Sequence, residues 1–423
     1  MFILDKSGSL SKMGNSQQGF SDLDAYITQI NLENSSKRMY AFKPFVFKKC
    51  QTVKSESKPK PRSGHRIVCN DGDLYCYGGY NPNIRSTGFD LDMDDGWLLS
   101  KPLFREMWRF NFATREWIKL KVRNMPFVLA SNAVLLEGKL LMVYGGTGMP
   151  FGGHSSNTLY TCNLSEGTLT FRKVKVSGQV PEPRYGQAVF RTDNYLYVIG
   201  GTTGYQYSAD VHRLNLLSNV WDGISVSKGL PNEPLGRYRH ELCLLGTKVY
   251  VLGGGTSLES FGFEELPVYD YQKNEWCSVA THGDKDSIEP YPKPRRFHSA
   301  DRIPDSYSLI IVGGFSGSEI LDDCWLLDLQ GLTWKKLSSL KLQFPTYFHA
   351  SCITPSGKLY TFGGICEVGR RTHRTSNIVS AWVCIPKLKE MCWEAVLYYG
   401  LFKNSQEMDL KMELPLEFQN RFH

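Results

Sequence analysis

Six stretches decide the fold: LYCYGG (74–79), LMVYGG (141–146), LYVIGG (196–201), VYVLGG (249–254), LIIVGG (309–314) and LYTFGG (359–364). Each is an apolar run of strand length that ends on two glycines, and the pairs recur at intervals of 67, 55, 53, 60 and 50 residues. Self-similarity at such a period marks a unit that is copied and stacked, because one unit alone has no partner for its apolar faces. A polar loop and a second strand-like run follow each pair: MWRFNF, LYTCNL, VHRLNL, PVYDYQ, CWLLDL and AWVCIP. A closing run then opens on Trp117, Phe171, Trp221, Trp276 or Trp334. Ahead of the apolar runs stands a short signature: PRSGH from Pro61, PRYGQ from Pro183, GRYRH from Gly236, PRRFH from Pro294 and PTYFH from Pro345. That makes four strands per unit, with glycines where a Cβ would obstruct the chain and an aromatic side chain to fill the gap between neighbours.

Units of this size with a glycine pair and a spaced Trp resemble the kelch repeat, which implies four-stranded blades around a central channel. The expected fold is all-β: a six-bladed kelch β-propeller over residues 37–385 with a small C-terminal α-helical tail over 386–423. The sixth unit lacks its closing aromatic run. Residues 42–53 offer a substitute, since Phe47-Lys48-Lys49-Cys50 resembles Trp117-Ile118-Lys119-Leu120, and closing the ring this way removes exposed strand edges. Residues 1–36 are polar and weakly patterned, and read as a flexible tail.

Composition narrows the function classes. The chain has 423 residues, 41% hydrophobic and 22% charged, which is globular. Net charge is +7, from 49 basic and 42 acidic residues, short of the footprint of a nucleic-acid binder. Arg370, Arg371 and Arg374 read as one solvated basic loop, and no nucleic-acid partner is expected. Eleven cysteines with no C-x-x-C spacing read as free thiols of a reducing compartment. The first apolar run breaks at Asp5 and no stretch of 18 apolar residues occurs, so no membrane partner is expected and the cytoplasm or nucleus is. The N-x-[ST] matches at Asn34 and Asn163 do not alter this.

DLDMDDG (90–96) misplaces the Gly of a calcium loop and has Lys101 where the bidentate Glu belongs, so it reads as an exposed acidic loop. No nucleophile elbow, phosphate loop or H-E-x-x-H motif is present. The signature histidines His65, His240, His298 and His349 read as structural. The protein is expected to be no enzyme and to need no cofactor or metal.

The pattern changes after Pro386. Leu388, Met391, Cys392, Ala395, Val396 and Tyr399 fall on one helical stripe that Pro386 starts and Gly400 stops. Leu388-x-x-x-Cys392-x-x-x-Val396 resembles the BC box that binds Elongin C, although Lys387 stands where a small residue commonly precedes the Leu. Leu414-Pro415-x-x-Phe418-x-x-x-Phe422 is similar to the box that specifies cullin 2. GGYNP (78–82), LFREMWR (103–109), GGTGMPFG (145–152), GGTTGYQYSAD (200–210) and RYRHE (237–241) are similar to one branch of the kelch family. These resemblances imply a substrate receptor of a cullin 2 RING ubiquitin ligase. Its partners would be Elongin B, Elongin C, cullin 2 with its RING subunit, and client proteins with exposed C-terminal degrons ending in Gly.

Within each signature the outer residues read as framework and the middle pair as facing the mouth of the ring. A peptide C-terminus presents a carboxylate that the planar fork of Arg takes with two parallel hydrogen bonds. Arg239 and Arg296 are therefore the expected carboxylate ligands, with Tyr205, Tyr238, Phe297 and Tyr347 lining the pocket. Resemblance to the receptor group adds Ser257 as a donor. The competing expectation is a non-catalytic kelch scaffold in actin or stress-kinase and phosphatase signalling, whose tail helix only caps the ring.

Overall fold

The apolar runs before the glycine pairs are strands at the centre of sheets, and every residue of Asp73–Tyr77 is buried. The computed structural model describes residues 39–52, 58–83, 102–227, 233–400 and 414–422, plus the backbone pairing of Phe2–Leu4 with Leu10–Lys12. The rest of 1–36 and the acidic loop at 90–96 lie outside the described residues. Blade one is the antiparallel sheet Arg66–Cys69, Asp73–Tyr77, Met107–Asn111 and Trp117–Lys119. The same order recurs in blades two to five, over 133–173, 188–225, 241–280 and 299–336. Blade six comprises Ala350–Ile353, Lys358–Phe362 and Ile378–Trp382, and its fourth strand is Lys48–Lys49, paired with Ser380 and Val379. Innermost strands pack side by side in chain order, and that of blade six meets that of blade one. The six sheets thus form a closed β-propeller, carrying a short helical tail.

Adjacent blades are joined by the closing aromatics. Phe171 meets Tyr77 of blade one at 5.8 Å between ring centroids, Trp221 meets Tyr144 of blade two at 5.5 Å, and Trp334 meets Phe263 of blade four at 5.4 Å. Trp117 meets Phe362 of blade six at 5.1 Å, completing the circuit. Trp276 joins the cluster of Tyr197 and Ile199 from blade three. Each aromatic therefore reaches back to the preceding blade, a contact that no blade makes alone.

The glycine pairs serve the same junctions. A Cβ on Gly313 would stand 3.1 Å from His349 Cε1 of the next blade, and one on Gly314 would stand 2.7 Å from His298 Cβ of its own blade. Each signature His is thus wedged between two glycines of different blades, and the pair is fixed by inter-blade packing as much as by its turn. In blade three Gln187 replaces the His, and its Nε2 donates to the Tyr144 carbonyl at 3.0 Å. His65 Nε2 makes the equivalent bond to the Phe362 carbonyl at 3.0 Å. The signature Arg locks the arrangement: Nη1 of Arg62, Arg184, Arg237 and Arg295 donates to the carbonyls of Gly78, Gly200, Gly253 and Gly313 at 2.9–3.2 Å.

Because the strands are antiparallel, the signatures and the loops after the glycine pairs gather at one end of the channel. The tight turns near Gly72, Arg115 and Gly357 lie at the other end. The channel between, about 310 Å³, is lined by the innermost strands and crossed by the ion pair of Arg66 with Glu241 at 2.7 Å.

Candidate functional site

At the signature end, the first middle residue of each signature pairs with the first residue after a glycine pair. These bridges are Ser63 with Tyr80, Tyr185 with Thr202, Tyr238 with Gly255 and Arg296 with Phe315. Blade six pairs Tyr347 with Ile365, and blade two, which lacks the signature, pairs Ala130 with Thr147. The next residue is left-handed in every blade: φ is 68° at Gly64, 61° at Ser131, 66° at Gly186, 54° at Arg239, 58° at Phe297 and 55° at Phe348. Four of these are not glycine, and such backbone persists only where its surroundings hold it. They do so by a relay of amides: Ser131 N–H donates to Gly64 O, Gly186 N–H to Ser131 O, Arg239 N–H to Gly186 O, Gly64 N–H to Phe348 O, and Phe348 N–H to Phe297 O, at 2.7–3.2 Å. This near-continuous collar surrounds the channel entrance.

Arg239 lies across the entrance. Its guanidinium is buried, Nη2 donates to Ser131 Oγ at 2.5 Å, and Cζ sits 4.9 Å over the Phe348 ring. Gly64 leaves the necessary room, since a Cβ there would stand 3.3 Å from Nη2. Burial, reinforced by the charge of Arg66, pulls the Arg239 pKa down to about 9. No acidic side chain pairs with it among the described residues. A buried cation without a counter-ion is costly unless a ligand supplies one.

Arg296 is engaged differently. Its Nη1 donates to the carbonyls of Thr256 and, at 2.9 Å, Glu259, while Nη2 reaches the Ser257 carbonyl at 3.4 Å. It holds the loop after the fourth glycine pair, and Ser257 meets it through its backbone. Tyr238 is edge-on to Tyr185 and Phe297, at 6.3 and 5.6 Å, and burial pushes its phenol up to about 12. Phe297 stacks on Phe348 at 3.9 Å, and Tyr347 lies 5.4 Å from Phe348, so these aromatics form a continuous floor. Tyr205 stands apart on its loop, 89% exposed.

Two contributors escape the sequence reading. Ser131 belongs to the one blade without a signature, and the signal for it is Asn132 in the His position, whose Nδ2 donates to Gly145 O at 2.6 Å. Arg374 does not belong to a solvated loop: it ends the hairpin Ile365–Val368 and Arg371–Arg374, donates Nε to Ser63 Oγ at 2.9 Å and lies 5.0 Å over Tyr80. Arg370 and Arg371 are exposed.

At the opposite end sits the tail. Helix α1, Leu388–Tyr399, follows Pro386 and Lys387 and stops at the left-handed Gly400, whose N–H donates to Val396 O. Helix α2, Leu416–Gln419, follows Pro415 and runs into the turn Asn420–Phe422. Trp393 stacks on Phe418 at 5.0 Å and meets Phe422 edge-on at 5.5 Å. Arg421 forks onto Glu390 with two bonds of 2.8 Å. Lys358 pairs with Glu394, Tyr40 N–H donates to Tyr399 Oη at 2.9 Å, and Asn111 Nδ2 donates to Arg421 O at 2.8 Å, which docks the tail on blades six and one. Helix α1 is thus anchored on the ring side through Glu394 and Tyr399, while Glu390 and Trp393 hold the second tail segment. Leu388 is 68% exposed and Cys392 is exposed; Val396, Leu414 and Phe422 are half-buried, Pro415 is exposed and Phe418 is buried.

No helix among the described residues is long and apolar enough to cross a membrane. A family model described as the KLHDC2/KLHL20/DRC7 Kelch-repeats domain matches residues 30–254 and 239–400. Kelch domain-containing protein 10 of Xenopus tropicalis is 39% identical over 347 residues, covering 81% of this chain and 80% of its own. The human protein of that name is 37% identical, covering 82% and 75%. Mouse Kelch domain-containing protein 1 is 26% identical, covering 72% and 75%. With the glycine pairs, the signatures and the closed ring of blades, these matches place the chain in the kelch-repeat family, as a relative of Kelch domain-containing protein 10.

Proposed function

We propose that the chain is the non-catalytic substrate-recognition subunit of a cullin 2 RING ubiquitin ligase, acting in the cytoplasm or nucleus. The mouth receives the C-terminus of a client protein, and the tail binds Elongin C, and with it Elongin B and cullin 2. The observation that carries this reading is the orientation of α1. It is anchored through Glu394 on Lys358 of blade six and through Glu390 and Trp393 on the second tail segment, leaving Leu388 and Cys392 exposed, free for an adaptor. An apolar residue such as Leu388 held 68% in water on an anchored helix is best explained by a partner that covers it. At the other end Arg239 offers a desolvated positive charge above an aromatic floor, suited to a carboxylate on a small terminal residue.

A scaffold role in actin or stress-kinase signalling is the second reading. It is favoured by Phe418, which is buried under Trp393, as a simple capping segment would have it. The two part company in one experiment, in which the purified chain is mixed with Elongin B, Elongin C and cullin 2 and the complex is resolved by size. The receptor reading expects co-elution that Leu388→Ala/Cys392→Ala abolishes. Co-elution undiminished in the variant, or none with the wild type, leaves only the scaffold.

A further inference from the structure

The cations around the mouth differ sharply in how fully they are engaged. Arg62, Arg184, Arg237 and Arg295 hold glycine carbonyls, and Arg66 is paired with Glu241 inside the channel. Arg296 is occupied by the carbonyls of Thr256, Ser257 and Glu259. Among the described residues two guanidiniums remain whose hydrogen-bond partner is a single serine hydroxyl: Arg239 on Ser131, and Arg374 on Ser63. Neither has an acidic partner among the described residues.

These two come from opposite sides of one turn. Arg374 Nε grips Ser63, and Arg239 Nη2 lies against the next residue, Gly64, which has no side chain to stand between them. Each cation rests over an aromatic ring, Arg374 over Tyr80 at 5.0 Å and Arg239 over Phe348 at 4.9 Å, so both are held in place before any ligand arrives. The geometry points to Arg374 as the second cation of the peptide site: the terminal carboxylate seats above Ser63 and Gly64 between Arg239 and Arg374, and Arg296 is a loop-positioning residue outside that contact. This assignment rests on reading the mouth as a receptor for peptide C-termini. A carboxylate bound between two guanidiniums gains charge-assisted bonds from both, while Ser63 and Ser131 retain their own hydroxyl contacts. The remaining donors of Arg239 and Arg374 are the ones that an internal peptide segment, having no terminal charge, leaves unused.

The test is fluorescence anisotropy on the full chain with a labelled Ser/Gly decapeptide ending Gly-Gly, as the free acid and as the amide. Wild type should prefer the acid. Arg374→Ala should weaken acid binding by roughly tenfold or more while leaving amide binding unchanged, and Arg374→Lys should recover part of the preference. Arg296→Ala should weaken acid and amide alike. If Arg374→Ala keeps the wild-type acid-to-amide ratio while Arg239→Ala erases it, the receptor reading stands and the assignment of Arg374 is wrong. If wild type binds both forms equally, or neither, the receptor reading itself fails. Thermal melts of each variant, with the Lys variant as a charge-retaining control, separate lost contact from lost fold.

Discussion

Arg239 Nη2 donates to Ser131 Oγ at 2.5 Å, joining blade four to blade two across the channel entrance. The bond spans 108 residues of sequence and depends on Gly64 from a third blade leaving the space open. The mouth is therefore a product of ring closure, and its charge is set where no single repeat controls it.

Arg239 and Arg296 should separate under mutation. Arg239→Ala is expected to cost binding of a peptide acid about 2 kcal/mol or more and to leave the amide unaffected, since a charge-assisted partner is lost. Arg296→Ala frees three carbonyls of the 256–259 loop and should lower the affinity of both forms together. Isothermal titration with the acid and amide forms reads both outcomes; identical selectivity loss in the two variants would contradict the division of roles.

Two glycines with nearly the same backbone separate strain from packing. Gly138 has φ 56° and open space around its missing Cβ, whereas Gly253 has φ 54° and a Cβ there would meet Arg295 O at 2.6 Å and His298 Cε1 at 2.9 Å. Gly138→Ala should destabilise by about 1 kcal/mol, the backbone term alone. Gly253→Ala should cost about 3 kcal/mol or more, because the inter-blade wedge has nowhere to move. Equal losses in denaturant titrations would show that the pair is conserved in form by its turn and not by the junction.

The wedged histidines make stability depend on pH. Burial holds His349 at about 4, against an ordinary 6.5, although the nearby backbone of Thr346 and Val312 partly opposes the shift. Burial lowers His240 to about 3 in the same way. A base with a depressed folded pKa contributes its full stability above 6.5. As the pH falls from 6.5 toward 4, the unfolded chain gains a proton that the folded one refuses, and that contribution is lost. For His349 the loss is on the order of 3 kcal/mol. His349→Gln copies what Gln187 already does in blade three, and should reduce the fall of the unfolding free energy between pH 7.5 and 4.5 by about that amount. An unchanged slope would mean that the ring is not buried neutral.

The repeat, the sheet content and the helical tail are legible in the sequence because each rests on a pattern that local physics fixes: apolar runs closed by glycine pairs for the strands, a period of 3.6 for α1. The Trp positions are readable for the same reason. What hides is whatever depends on the ring. Ser131 sits in the blade without a signature, and Arg374 comes from a hairpin whose other arginines are exposed, so neither carries a local mark of its place at the mouth. Arg239 and Arg296 look alike in the sequence, one residue of each signature pair, and differ in the structure because only Arg296 has loop carbonyls within reach. The stripe from Leu388 is legible as the face that the BC-box resemblance assigns to an adaptor. How α1 is anchored is not legible there: Glu394 pairs with Lys358 of blade six, and Glu390 with Arg421 from the turn after α2.

The central claim is that one end of the ring selects a chain terminus while the other recruits the ligase. It is tested most directly by reconstituting cullin 2 with its RING subunit, Elongin B, Elongin C and this chain, and following ubiquitin transfer to a lysine-bearing peptide that ends in Gly. The account expects transfer to the free acid, little to the amide, and loss of both with Leu388→Ala/Cys392→Ala. Equal transfer to acid and amide, or full activity of the tail variant, would contradict it.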